Sequence, residues 1–459
     1  MYSAILRTRN LLFLATFLLI FACQVDETQP VVVNSPAAAP AGPGQPLKAI
    51  GSGVMMQAFY WDVPAGGTWW DSLETKMSDW SNAGIDAIWI PPASKAQNGP
   101  FSMGYDPFDY FDFGEYNQMG SIETRFGSRT ELENMVDAAH NEGLNVIADI
   151  VLNHNSGANL EANPFTGTNT WTDFQPLSGK FNRSYYDFHP NDMASSDAGY
   201  FGGFPDLSHV KPYVQDWLWK SDSSVAKYYK NVIGFDGWRF DYVKGFDPWV
   251  VDDWMGEVGG FGIGEYWDGN AATLEWWANS ANVSAFDFAC YYAMNDAFDG
   301  NDLTKLNNDM LWKRNSMKAV TFVTNHDTDE IWEKMLAYAY ILTHEGYPTI
   351  FYRDYEEWLN KERLNNLIWI HNNLASGSTT VLHADNDEYV ARRNGWNGPG
   401  LVVYINDSNS WQERWIETNW SSTVIKDYTG HSNWEPTTQA GKWVKIQAPP
   451  NSYSVWSVK

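Results

Sequence analysis

From residue 51 onward, short apolar runs alternate with amphipathic stretches, the rhythm of strands and helices in turn. Eight runs read as buried strands, over residues 54–60, 87–90, 146–151, 237–242, 262–266, 284–288, 319–324 and 349–352. Between them, helical periodicity appears over 71–82, 129–142, 214–231, 330–343 and 356–372. Eight such units predict an α/β chain folded as a TIM (β/α)8 barrel, whose working groups would stand on the loops after the strands. One connection breaks the rhythm. The stretch after the third strand is rich in Gly, Pro, Asn and Asp, and a connection of that length carries function or forms a small domain. After residue 373 the period falls to two, over 389–393, 400–405, 442–446 and 453–458, which predicts a C-terminal β-sandwich. The expected organisation is a signal peptide (1–22), a flexible tether (23–48), the barrel in two parts (49–152 and 213–372), an inserted domain (153–212) and the sandwich (373–459).

Composition adds limits to this picture. Of 459 residues, 44% are hydrophobic and 19% charged, as expected of a globular chain. Lys and Arg total 30 against 56 Asp and Glu, a net charge of −26, so a polyanion would be repelled and nucleic acid is excluded as a partner. The 25 Trp, 24 Tyr and 24 Phe offer flat apolar faces beyond what packing demands, of the kind on which sugar rings rest.

The N-terminus reads as an address. Arg7 and Arg9 precede an apolar run over 11–21, too short to span a bilayer, that ends at Ala22-Cys23. Ile20-Phe21-Ala22-Cys23 resembles a bacterial lipobox, which implies an exported, lipid-anchored envelope protein, or failing that a secreted one. Cys290 would then be the remaining thiol, with no internal disulfide available. The Pro-, Ala- and Gly-rich residues 24–47 suit a tether.

Four polar clusters close predicted strands. DIVLNH ends the third strand with Asp149, Asn153 and His154. In GFDGWRFDYVKG, Arg239 and Asp241 stand two apart and so share one face of an extended strand. A guanidinium beside a carboxylate keeps that acid ionised, as a carboxylate nucleophile requires. Glu265 in FGIGEYW follows a glycine expected to let substrate approach, and FVTNHD supplies Asn325, His326 and Asp327. Barrel topology would bring these ends to one mouth, and three carboxylates with two histidines and an arginine suit glycosidic bond cleavage by an attacking acid and a proton-donating one.

These four segments resemble the signature regions of the α-amylase family, glycoside hydrolase family thirteen. MQAFYWDVP, AIWIPPASK, SMGYDPFDYFDFGEY, FGGFPD and IFYRDYEEWLN extend the resemblance, and look closest to extracellular α-amylases of hyperthermophilic archaea. The resemblance implies Asp241 as nucleophile, Glu265 as acid and base, and Asp327 as transition-state stabiliser. It implies that Arg239, His154 and His326 surround the cleaved sugar, that Tyr105 stacks on it and that Lys244 contacts the leaving side. Glu265 has no cationic neighbour in sequence, so burial would keep it protonated while Arg239 holds Asp241 ionised. The implied activity is endo-hydrolysis of internal α-1,4 links in an α-glucan polysaccharide, by a monomer that meets a membrane only through its anchor. Glycosyl transfer, action on branched or cyclic glucans, and a non-catalytic glucan-binding role are the alternatives.

The same resemblance implies calcium in the long excursion, held by the side chains of Asn153, Asp197 and Asp206 and the carbonyls of Gly199 and Gly245. The archaeal relatives add zinc, but here the pattern breaks. His189 stands, while the partner positions hold Ala194 and Ser208, and Ser195 and Ser196 replace a cysteine pair. The expectation is calcium without zinc.

Overall fold

The computed structural model describes residues 47–459 except 52 and 397. The expected signal peptide, the tether up to residue 46 and Cys23 lie outside the described residues. Eight parallel strands close into a barrel: β1 Val54–Gln57, β2 Ile85–Ile90, β3 Asn145–Ile150, β4 Gly237–Phe240, β5 Phe261–Gly264, β6 Ser284–Phe286, β7 Ala319–Phe322 and β8 Tyr347–Phe351. Each falls on a predicted apolar run. Closure is made by β1, in which Met55 lies opposite Ala87 of β2 and Thr349 of β8. The strands are buried on both faces, which is why they read as apolar runs instead of alternating ones.

Alternation along β4 sets up the site. Trp238 and Phe240 pack outward on Trp254 of the helix Trp249–Val258, so Arg239 and the following Asp241 point into the barrel. In β5 the outward position is Gly264, where a Cβ would come within 1.9 Å of the Trp277 ring of helix Ala271–Ser280. This corrects the expected role of that glycine. It makes room for an indole behind the sheet, leaving Glu265 to face inward. Gly264→Ala is expected to destabilise the protein by roughly 1–3 kcal/mol through overpacking. A melting temperature equal to that of the parent would refute this account.

The helices are more broken than expected. Residues 71–82 form two helices, Trp69–Glu74 and Met77–Ala83. The expected helix over 214–231 is interrupted at Ser221–Ser224, where Ser224 caps a new start. The helix expected over 330–343 covers only Lys334–Ile341. The long excursion after β3 contains a hairpin, Asn159–Asn163 with Thr168–Asp173.

Seven strands follow the barrel: β9 Thr379–Ala384, β10 Glu388–Arg393, β11 Leu401–Asn406, β12 Gln412–Glu417, β13 Ile425–Asp427, β14 Trp443–Ala448 and β15 Ser452–Val458. They form a five-stranded sheet in the order β9-β10-β11-β15-β13 and a two-stranded sheet, β12-β14. Val390, Val402, Tyr404 and Trp456 from one sheet and Ile416, Val444 and Ile446 from the other share a core.

Candidate active site

Arg239 is the hub of the barrel mouth. Only 1% exposed, its Nη1 donates to Asp149 Oδ1 at 2.8 Å and to Asp241 Oδ1 at 2.7 Å. Its Nη2 lies 2.7 Å from Glu265 Oε1, an ion pair too bent to be a hydrogen bond. Glu265 has no cationic neighbour in sequence but gains one in the fold, because β4 and β5 are adjacent in the sheet and share the guanidinium. Burial nevertheless dominates at Glu265. Desolvation pushes its carboxyl up to about 8 against the pull of Arg239, with Asp241 and Asp327 adding to the rise.

The backbone also takes part. Tyr242, directly after Asp241, adopts a left-handed φ of 44° and aims its N–H at Glu265 Oε2, 3.1 Å away. A non-glycine residue in that region is strained, and here the turn supplies a donor beside the acid. Asp327 is the most open of the three acids. Burial raises its pKa, but His326, with Nε2 3.0 Å away, outweighs this and holds the carboxyl below its usual value. The amide nitrogen of Gln57 stands 3.0 Å from His326 Nδ1, so a donating amide places the ring proton on Nε2, facing Asp327.

The remaining expected residues surround this centre. The Tyr105 ring stacks on His326 at 5.3 Å between centroids, and its hydroxyl donates to Asp149 Oδ2 at 2.8 Å. His154 bonds the Tyr105 carbonyl through Nε2 at 2.9 Å and lies stacked against Phe201 and Phe204; burial lowers its pKa, keeping it neutral. Lys244 stands farther out, paired with Asp268 at 3.1 Å and lying 5.0 Å over the Tyr266 ring. Two residues of the centre were not singled out by sequence as site residues. Asp149, pushed up to about 6 by burial, accepts from Arg239, Trp89 and Tyr105, and Gln57 orients His326. A cavity of about 760 Å³ is separate from this site; it opens at the opposite ends of the strands, beside Gly262, Ser284, Lys318 and Tyr347.

The excursion residues converge beside β4. The Gly199 N–H donates to the Gly245 carbonyl at 3.0 Å, and a Cβ on Gly245 would sit 1.7 Å from Asn153 Oδ1. Ligand atoms of His189, Asp197 and Asp206 lie within 4.8 Å of one another. Asn153 Oδ1, Asp197 Oδ1 and Asp206 Oδ1 are buried without a hydrogen-bond partner, and burial together with Asp197 pushes Asp206 up to about 8. Confronted buried oxygens of this kind fit a hard cation. His209, which sequence did not single out, stands with its Nδ1 3.8 Å from Asp197, and His189 Nε2 is 3.6 Å away. A second grouping, His383, Asp385 and Glu388, is different in character, since Arg414 already reaches Glu388 at 3.0 Å.

Residues 70–253 match the family described as "Alpha amylase, catalytic domain", and residues 401–457 match "Alpha-amylase C-terminal". An α-amylase of Bacillus licheniformis is 30% identical over 371 residues, covering 66% of this chain and 71% of that one. The chain belongs to the α-amylase family. An α-amylase of Geobacillus stearothermophilus is 29% identical, covering 90% of this chain and 88% of its own. Among solved structures, an α-amylase of Geobacillus thermoleovorans complexed with acarbose shares the fold at a TM-score of 0.70 and 18% identity, covering 90% of this chain and 99% of that one. These relatives are bacterial, and an α-amylase of Arabidopsis thaliana is 27% identical over 417 residues; none of them is one of the archaeal proteins expected.

Proposed function

We propose that the chain is an endo-acting, retaining α-amylase that hydrolyses internal α-1,4-glucosidic bonds of starch, glycogen and maltooligosaccharides. The observation that carries this reading is one guanidinium shared by two carboxyl groups, Asp241 hydrogen-bonded to it and Glu265 pushed up to about 8 by burial. In the first step an Asp241 oxygen attacks the anomeric carbon while Glu265 gives its proton to the leaving glycosidic oxygen. In the second, the Glu265 carboxylate takes a proton from water, whose oxygen displaces Asp241. Asp327 lies opposite the positive charge that develops on the sugar in both steps, and Tyr105, His154 and His326 orient the ring. Lys244 faces the leaving side. A shared guanidinium favours the carboxyl spacing of about 5–5.5 Å found in retaining enzymes. Starch digestion should therefore release first products as the α anomer, seen by proton magnetic resonance before mutarotation. A β product, or transfer to sugar acceptors in preference to water, overturns the assignment.

The reading extends to calcium, held by the side chains of Asn153, Asp197 and Asp206 and the carbonyls of Gly199 and Gly245. Its charge would fix the excursion against the turn after Asp241, and no chemical step runs through it. Zinc is not expected. The lipid anchor on Cys23 remains a proposal from the Ala22-Cys23 junction. Metabolic labelling with a fatty acid, lost in Cys23→Ser, tests it, and an unlabelled wild-type chain refutes it. A monomer is expected in solution.

A further inference from the structure

The two-stranded sheet β12-β14 is covered on one face only. Ile416, Val444 and Ile446 point into the shared core, so Glu413, Trp415, Glu417, Trp443, Lys445 and Gln447 form the outer face. Trp415 is 53% and Trp443 45% exposed. Trp415 lies opposite Lys445 and Glu417 opposite Trp443, which makes the two indoles diagonal neighbours, about 7–8 Å apart on a sheet of this kind. Among the described residues neither indole stacks on another ring or donates a hydrogen bond.

Two large apolar rings stand open side by side on one small flat face, an arrangement a flat ligand can cover. The strip is two strands wide and six residues long, on the order of 200 Å², against about 800 Å² per partner in a stable protein interface. Its charges also narrow the choice. Lys445 is paired with Glu413, which leaves Glu417 without a cationic partner among the described residues of a chain of net charge −26, so an anionic surface is disfavoured. A neutral, hydroxyl-rich polymer fits. Its ring faces can rest on the indoles, while the Glu417 carboxylate accepts from hydroxyls at the edge.

We propose that the outer face of β12-β14 is a second glucan-binding platform, with Trp415 and Trp443 stacking on sugar rings of the polymer whose bonds the barrel cleaves. The proposal rests on the α-glucan reading of the active site for its ligand, and the platform acts by tethering, apart from the chemistry. Because the polymer is far longer than the cleft, a weak second contact raises the local concentration of substrate and matters most on insoluble granules.

The test compares the full-length protein with the pair Trp415→Ala/Trp443→Ala and the pair Trp415→Phe/Trp443→Phe. Adsorption to granular starch in the cold and hydrolysis of a short soluble maltooligosaccharide are measured for each. The alanine pair should lose adsorption at least tenfold while kcat/KM on the short substrate stays within twofold of the parent, and the phenylalanine pair should keep most of the adsorption. Unchanged adsorption in the alanine pair overturns the platform. So does an equal loss of short-substrate activity, which would mean the indoles support the fold, or a wild-type dimer that becomes monomeric in the alanine pair, which would make the face a contact between copies. Adsorption without hydrolysis by the wild type would instead defeat the catalytic reading and leave the platform standing.

Discussion

Glu265→Gln is expected to lower kcat on starch by roughly 10³–10⁴-fold, and Asp241→Asn by about 10⁴-fold or more, with both variants folded and still binding glucan. The two losses should differ in kind. A substrate with an activated aryl leaving group needs no proton for departure, so it should restore glycosyl-enzyme formation in Glu265→Gln and do nothing for Asp241→Asn. The pH profile gives a second signature. The first step needs Glu265 protonated, and its carboxyl, pushed up to about 8, releases its proton as pH rises through that value. Wild-type kcat/KM should therefore fall on the alkaline side near pH 8. The same shift bears on stability with a definite sign. Unfolded, a glutamate ionises near 4.3; folded, this one holds its proton to about 8, so stability declines as pH rises between those values. Glu265→Gln removes the titration and should melt higher than wild type at alkaline pH. An alkaline limb unchanged in position, measured on the residual activity of Glu265→Gln, would defeat the assignment.

Removing calcium is expected to lower both the melting temperature and the activity. If the ion is present at about a hundred times its dissociation constant, its binding adds about 2.7 kcal/mol, equivalent to several degrees of melting temperature. Activity should fall with it, because the excursion meets the turn after Asp241 at Gly199 and Gly245. Gly245→Ala provides the control, since its Cβ would strike Asn153 Oδ1, and this variant should show the low melting point with or without added calcium. Stoichiometric zinc in the purified protein, or activity and melting unchanged after thorough chelation, would refute the calcium site.

The barrel was legible because parallel strands buried on both faces write themselves as apolar runs, and all eight were found. The acids were legible because Asp241, Glu265 and Asp327 stand just past those runs, where an apolar strand turns polar. Asp149 carried a weaker signal. It sits inside β3 and takes its importance from Arg239, 90 residues away, a partner that local pattern cannot supply. Gln57 is similar, 269 residues from His326. The break in the helix expected over 214–231 follows from Ser224, whose hydroxyl donates to the Trp219 carbonyl and accepts from the Lys227 N–H that opens the next helix. The reason for Gly264 was misread because its neighbour across the packing interface, Trp277, is set by the fold and not by the strand.

The way the barrel closes governs when it can exist. Because β1 hydrogen-bonds to β8, with Met55 opposite Thr349, the first barrel strand made waits for the last of the eight, and until the chain has been extended past Phe351 the sheet has two open edges. Pairing across such a distance in sequence is slow to form. A chain emerging from the ribosome therefore cannot close its barrel for most of its synthesis, and a product truncated before Tyr347 is left with exposed edges and no route to a closed state.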